Sequence, residues 1–198
     1  MDKRIRIGIL GSTNGTSLQP IIDAIEKKEL NAEIVTVISN KKDSGILKRA
    51  LNHNININYV NSKNKNRQEY DSEVTSVLQA HNVELVLMIG YMRIVSREFC
   101  ETWNNQCMNV HPSLLPEFAK GMDLEVHKSV IESGKNYSGC TIHFVTEDVD
   151  GGPIVYQEKC EVKEDDTPET LKSRVQKLEG LSFIYAIKKF QKGMTYGK

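Results

Sequence analysis

The sequence predicts an α/β fold of the doubly wound, Rossmann-like kind: a mostly parallel central sheet with helices on both faces and antiparallel strands in the C-terminal half. Three observations carry it. The chain begins with a β-branched run that enters a glycine-bearing loop and then a helical repeat. That strand–loop–helix unit recurs through the first half. Leu85 to Ile89 (LVLMI) is almost unbroken apolar sequence, as expected of a central parallel strand covered on both faces. Ligands of such sheets bind outside the carboxyl ends of the strands, so function is expected in the loops that follow strands.

Ile5 to Leu10 (IRIGIL) reads as the first strand, ended by a tight loop. Leu18, Ile21, Ile22 and Ile25 then recur at helical spacing, with Thr16 or Ser17 placed to cap the first turn. Glu33 to Ser39 is the second strand, Gly45 to Asn52 a short helix, Ile55 to Val60 a weaker strand and Arg67 to Ala80 a helix. Beyond LVLMI, strands are expected at Cys107 to Val110, Ser138 to Phe144 and Ile154 to Val162, and a closing helix from about Pro168 to Gln191. No repeat, low-complexity stretch or linker interrupts the pattern. A chain of 198 residues fits one domain, 1–198.

Composition excludes several classes. Lys plus Arg and Asp plus Glu both number 26 and are scattered, so no basic stripe is available to track nucleic acid. The basic tail Lys188, Lys189, Lys192 and Lys198 complements the dipole at the end of a helix. Cys100, Cys107, Cys140 and Cys160 form no CxxC pair and have no His at metal-ligand spacing, so reduced, half-buried thiols and no metal are expected. The N-terminus lacks a charged, apolar, small-residue pattern, and no apolar stretch approaches about 18 residues. A cytoplasmic protein without membrane contact is the expectation.

Chemistry concentrates in Met108-Asn109-Val110-His111-Pro112-Ser113-Leu114-Leu115-Pro116, where a strand should end. Asn109 and His111 are two apart on extended chain and so face the same side of the sheet, and Pro112 keeps His111 out of helical geometry. An amide donor beside an imidazole suits a reaction through a tetrahedral oxyanion, as in acyl transfer. Read alone, the pair is more readily a strand-end histidine bonded to backbone.

Asn-Val-His-Pro-Ser-Leu-Leu-Pro, followed by Asp150 in Glu147-Asp148-Val149-Asp150-Gly151-Gly152-Pro153, resembles the signature of the folate-dependent phosphoribosylglycinamide formyltransferases, and the order of motifs agrees from Ile5 to about Phe190. The resemblance implies Asn109, His111 and Asp150 as catalytic residues. A carboxylate at His111 would favour the imidazolium form and raise its pKa, fitting the ring to act as an acid. Asp148 is a second loop carboxylate, but the family's aspartate aligns with Asp150.

The resemblance also implies 10-formyltetrahydrofolate as cosubstrate and phosphoribosylglycinamide as substrate, with no metal, in a monomer or homodimer. Residues 1–105 would form a phosphate-binding part and 106–198 a catalytic and folate-binding part. Gly11 to Gln19, which matches neither a Walker loop nor a dinucleotide fingerprint, would hold the substrate phosphate through Gly15, Thr16 and Ser17. Without the resemblance it is as well read as a plain turn with a helix cap. Many members have Asn where Ser17 stands. Gln176 and Glu179 map to the same substrate, their alternative being a solvated helix face.

On the folate side the resemblance implies Arg67, Met92, Arg93, Ile94, Val95 and Asn109, with Thr146, Glu147, Asp148, Val149 and Asp150 forming one wall. Arg93 would stand near the pterin, and Arg67 could instead make a surface salt bridge. His143 either faces the cleft or is a core histidine. Glu117 to Val126 is longer than in the family, which leaves Lys120 and His127 without an assigned role. Related enzymes that hydrolyse formyl folate carry an added N-terminal domain, and those that formylate methionyl-tRNA an added C-terminal one. A non-catalytic folate- or nucleotide-binding module is the rival of a different class.

Overall fold

The computed structural model describes residues 3–121 and 123–193; Lys198 of the basic tail lies outside the described residues. Along the chain run β1 (Ile5–Leu10), α1 (Leu18–Glu26), β2 (Ala32–Ser39), α2 (Gly45–Asn52), β3 (Ile57–Tyr59), α3 (Arg67–Ala80), β4 (Leu85–Met88), α4 (Arg97–Thr102), β5 (Cys107–His111), α5 (Leu124–Glu132), β6 (Tyr137–Phe144), β7 (Ile154–Glu161) and α6 (Pro168–Gln191). The strands form one sheet in the order β3-β2-β1-β4-β5-β6-β7. Pairing is parallel from β3 to β5 and antiparallel for β5–β6 and β6–β7.

The central strand buries both faces. Leu85 and Leu87 pack with Leu18 and Ile21 of α1 and Phe183 and Ile187 of α6, whereas Val86 and Met88 pack with Tyr70, Val74 and Leu78 of α3 and Phe99 of α4. Alternation along an extended chain sends neighbouring side chains into opposite layers, which is why an unbroken apolar run is needed here. Helix starts follow local chemistry. Asn66 and Glu69 satisfy each other's backbone N–H groups at α3, Thr167 and Thr170 do so at α6, and Pro168 occupies the first turn, where its missing N–H costs nothing.

The structure adds α4 and α5, which the apolar periodicity does not announce. α4 is six residues long and buries only Phe99 and Cys100. In α5 one of the three buried positions is His127, a polar residue type. β3 is shorter than expected because its pairing reaches only Val37–Ser39 of β2. Cys100, Cys107 and Cys140 are fully buried rather than half-buried, since they occupy inward positions on α4, β5 and β6, and only Cys160 is intermediate. Burial pushes all four thiols up.

Among the described residues no helix is long and apolar enough to cross a membrane. Lys188 and Lys189 stand in the last turn of α6, where they complement its dipole. β1, β4 and β5 run parallel, so the loops after them open at one end of the sheet. Leu87, wholly buried between the layers, tests the packing: Leu87→Ala should cost about 2–5 kcal/mol in urea unfolding with little change in slope. A loss below about 1 kcal/mol would contradict the two-sided burial.

Candidate active site

Register builds the site. In the antiparallel β5–β6 pair, Asn109 lies opposite His143 and His111 opposite Thr141, so four polar side chains share one face. Both histidines are about 3% exposed. Thr141 ties down the following loop: its Oγ1 donates to Ser113 O at 2.7 Å and accepts from Leu115 N at 3.0 Å.

Asp150 comes from the loop that joins β6 to β7. Val145 N donates to Cys107 O and Phe144 N to Pro153 O, each at 2.9 Å, which folds the loop back on the sheet. That closure requires Gly152, because a Cβ there would lie 1.9 Å from Phe144 O. Asp150 itself has φ 59°, a left-handed conformation that Asp tolerates better than most residues.

The carboxylate is thereby placed 3.2 Å from His111 Nδ1 and 3.5 Å from His143 Nε2, and it accepts the Lys120 backbone N–H at 2.9 Å. Burial alone would raise its pKa, but hydrogen bonds from His111 and His143, the His111 charge and the Lys120 N–H outweigh burial and hold it well below the usual carboxylate range. His111 Nε2 lies 2.9 Å from Phe118 O. A carbonyl and an ionised carboxylate both only accept, so a ring donating from both nitrogens satisfies both. His143 Nδ1 donates to Phe144 O at 3.0 Å, while its Nε2 stands 3.3 Å from Asn109 Nδ2.

A cleft of ≈ 420 Å³ opens on this cluster. Met88, Ile94, Val95, Val145 and Val149 give it apolar walls, and Asn109, His143, Thr146, Asp148 and Asp150 its polar lining. Mixed walls of this kind suit a flat heteroaromatic ligand. Another cleft, ≈ 470 Å³ between α1 and β2, is mainly aliphatic with a charged rim and lies away from these groups.

The other expected folate-side residues stand outside the cleft lining. Arg93 lies over the Tyr70 ring at 4.3 Å from its centroid, held by a cation–π contact. Arg67 is exposed at the start of α3, Met92 is 45% exposed, and Glu147 pairs with Arg97 at 3.3 Å. Asp148 turns to Lys120 Nζ at 3.4 Å, away from His111.

The first loop has the shape of an anion cradle. Gly15 has φ 60°, and a Cβ there would meet Ile46 at 2.4 Å. Leu18 N and Gln19 N bond back to Gly15 O and Thr16 O, leaving the N–H groups of Gly15, Thr16 and Ser17 outside the turn's own bonds. Ser17 stands at the N-cap but makes no side-chain cap bond; its Oγ lies 2.5 Å from Glu179 Oε2 on α6. Burial raises the Glu179 pKa to about 7 against the opposing pull of Ser17 and Lys172. Gln176 lies one turn before Glu179 on the same side of α6. Ser12 N donates to Gly90 O at 3.0 Å and Ser12 Oγ accepts from Met92 N at 3.1 Å, so the loops after β1 and β4 are joined.

A histidine–carboxylate cluster, a cleft of mixed walls and a glycine loop stand at one end of a parallel sheet, an arrangement suited to group transfer, and the chain belongs to the formyl transferase family, whose model matches residues 5–187. Among curated relatives, the phosphoribosylglycinamide formyltransferase of Haemophilus influenzae is 38% identical over 189 residues, covering 95% of this chain and 88% of that protein. The trifunctional purine biosynthetic protein adenosine-3 of Gallus gallus is 41% identical over 185 residues, 93% of this chain but 18% of that protein, so the chain spans under a fifth of that relative's length. The structure of glycinamide ribonucleotide transformylase 1 from Symbiobacterium toebii superposes with TM-score 0.94 at 35% identity, covering all of this chain and 92% of that one.

Sequence reasoning left His143 open between cleft and core; it is both, buried and lining the cleft. It missed the Phe118 carbonyl and the Lys120 N–H, because backbone groups carry no residue-type signal. Positive φ at Phe118 (57°) and Lys120 (64°), neither of them glycine, marks where the longer segment turns these groups toward His111 and Asp150. His127 is 1% exposed on α5, and burial lowers its pKa to about 4.

A depressed carboxylate pKa stabilises the fold above the unfolded value of 3.8 and loses that contribution as pH falls toward the folded pKa. Wild-type stability should therefore fall on acidification below about pH 4, and Asp150→Asn should flatten that part of the curve, as read from urea midpoints. An unchanged acid limb in the variant would contradict the ionised, histidine-bound carboxylate.

Proposed function

We propose that this chain, acting as one formyltransferase domain over 1–198 in the cytoplasm, transfers the formyl group of 10-formyltetrahydrofolate to the amine of phosphoribosylglycinamide, a step of purine biosynthesis. One observation carries the reading: Asn109 and His111, set side by side by β5, meet the Asp150 carboxylate, 3.2 Å from His111, beside a cleft of mixed walls that Asn109 and Asp150 line. The cleft suits the folate ring system, and the loop over Gly15, Thr16 and Ser17 suits the substrate phosphate. Ser12 joins that loop to the 90–92 segment, which keeps the two subsites adjacent.

Each residue then has a defined task. The substrate amine attacks the formyl carbon, and the Asn109 amide and the His111 Nε2–H, once it exchanges Phe118 O for substrate, meet the oxyanion that forms. His111 supplies the proton to the departing folate nitrogen and regains one from the attacking amine, which balances the transfer. Asp150, kept ionised by its donors, orients the His111 ring and stabilises its positive charge. His143, anchored by the hydrogen bond from its Nδ1 to Phe144 O, sets its Nε2 beside the Asn109 amide and the Asp150 carboxylate.

The decisive assay follows the deformylated folate with and without phosphoribosylglycinamide. Turnover should require the acceptor, and appreciable formyl-folate consumption in its absence would mark a hydrolase instead. His111→Ala should lose roughly 10²–10⁴ in kcat and Asn109→Ala roughly 10²–10³, with the fold retained by circular dichroism. Near-normal turnover in either variant would defeat its assigned role.

A further inference from the structure

The contact between Ser17 and Glu179 spans 162 positions of sequence and joins the anion loop to α6. Ser17 is 3% exposed, and α6 is pressed so close to α1 that a Cβ at Gly180 would lie 2.6 Å from Pro20 Cγ. The bond can run in either direction. With Glu179 ionised, the Ser17 hydroxyl must donate to it; with Glu179 protonated, the carboxyl can donate to Ser17 Oγ, and the Ser17 hydrogen is released.

Resting on the reading of 11–17 as an anion loop, we propose that Ser17 and Glu179 couple anion binding to proton uptake: a proton on Glu179 reverses their hydrogen bond and turns the Ser17 O–H toward an anion held by the N–H groups of Gly15, Thr16 and Ser17. The proton comes from solvent and remains on Glu179, and no other bond changes. Ser17 is thus a positioning residue whose donor is switched by its neighbour. Charge repulsion acts in the same direction, since an ionised Glu179 disfavours a dianion beside it.

The groups around Glu179 are compatible with this exchange. On α6 Lys172 is the charged group that acts on it, and Lys172 is also engaged with Asp123. From β6 the Cys140 thiol faces this region, itself pushed up to about 12 by burial. The loop and the start of α1 bring Ser17 and Pro20, neither of which ionises. Burial sets the Glu179 ionisation near neutrality, within the range where a cell or an assay can shift it.

Inorganic sulfate is the test probe, because it stays a dianion throughout and brings no titration of its own. Calorimetric titration of the whole chain between about pH 6 and pH 8.5 should show sulfate affinity falling up to about tenfold per pH unit above the Glu179 ionisation. At the upper end of that range binding should take up about one proton, read from buffers of different ionisation heat. Glu179→Gln should bind sulfate with a flat pH profile. Ser17→Ala should lose affinity at low pH and match wild type at high pH. Sulfate binding that is independent of pH in the wild type, or an unchanged pH profile in Glu179→Gln, overturns the coupling and leaves the anion loop standing. No sulfate binding at any pH, in wild type or Glu179→Gln, overturns the anion-loop reading itself and the coupling with it.

Discussion

The structure of the site depends on one buried carboxylate. Asp150 has a side chain about 8% exposed, yet it is held ionised by two histidines and a backbone N–H. Burying a charge without partners costs several kcal/mol or forces its neutralisation, so the carboxylate and its donors must be delivered together. Much of the local architecture serves that delivery. Gly152 lets the 145–153 loop close on β6, β5–β6 register sets the two histidines on one face, and the 117–123 segment supplies the Lys120 N–H.

Parallel pairing sets the Asn109–His111–Asp150 cluster and the loop after β1 at one end of the sheet. Parallel β1, β4 and β5 release their loops in the same direction, and Ser12 bonds the first of these loops to the second. On the other side of the loop after β1, α6 reaches back to Ser17 through Glu179. The glycine loop and the Asn109–His111–Asp150 cluster are thereby tied to one frame, which is what a reaction that depends on positioning would need.

Much of this was legible from sequence because it rests on short-range rules. IRIGIL, LVLMI and the capping residues at 66–69 and 167–170 specify their elements locally, and β1, α2, α3 and α6 begin and end where periodicity places them. Asn109, His111 and Asp150 were readable as a signature, and the structure brings their segments together. What sequence could not give is pairing at a distance. That His143 faces Asn109 follows from the β5–β6 register, that Ser17 faces Glu179 from the packing of α6 on α1, and that Arg93 lies on Tyr70 from the placement of α3. α4 escaped because it is six residues long with two buried positions, and α5 because a polar residue, His127, takes one of its three buried positions.

The most direct test of the carboxylate's place at the centre is the ¹³C chemical shift of the Asp150 carboxyl, followed by NMR from neutral pH into acid while the chain remains folded. The shift should stay at its ionised value as pH passes below 3.8, the ordinary position for this group. A titration midpoint at or above that value would show that His111, His143 and the Lys120 N–H do not hold the charge, and would contradict the account.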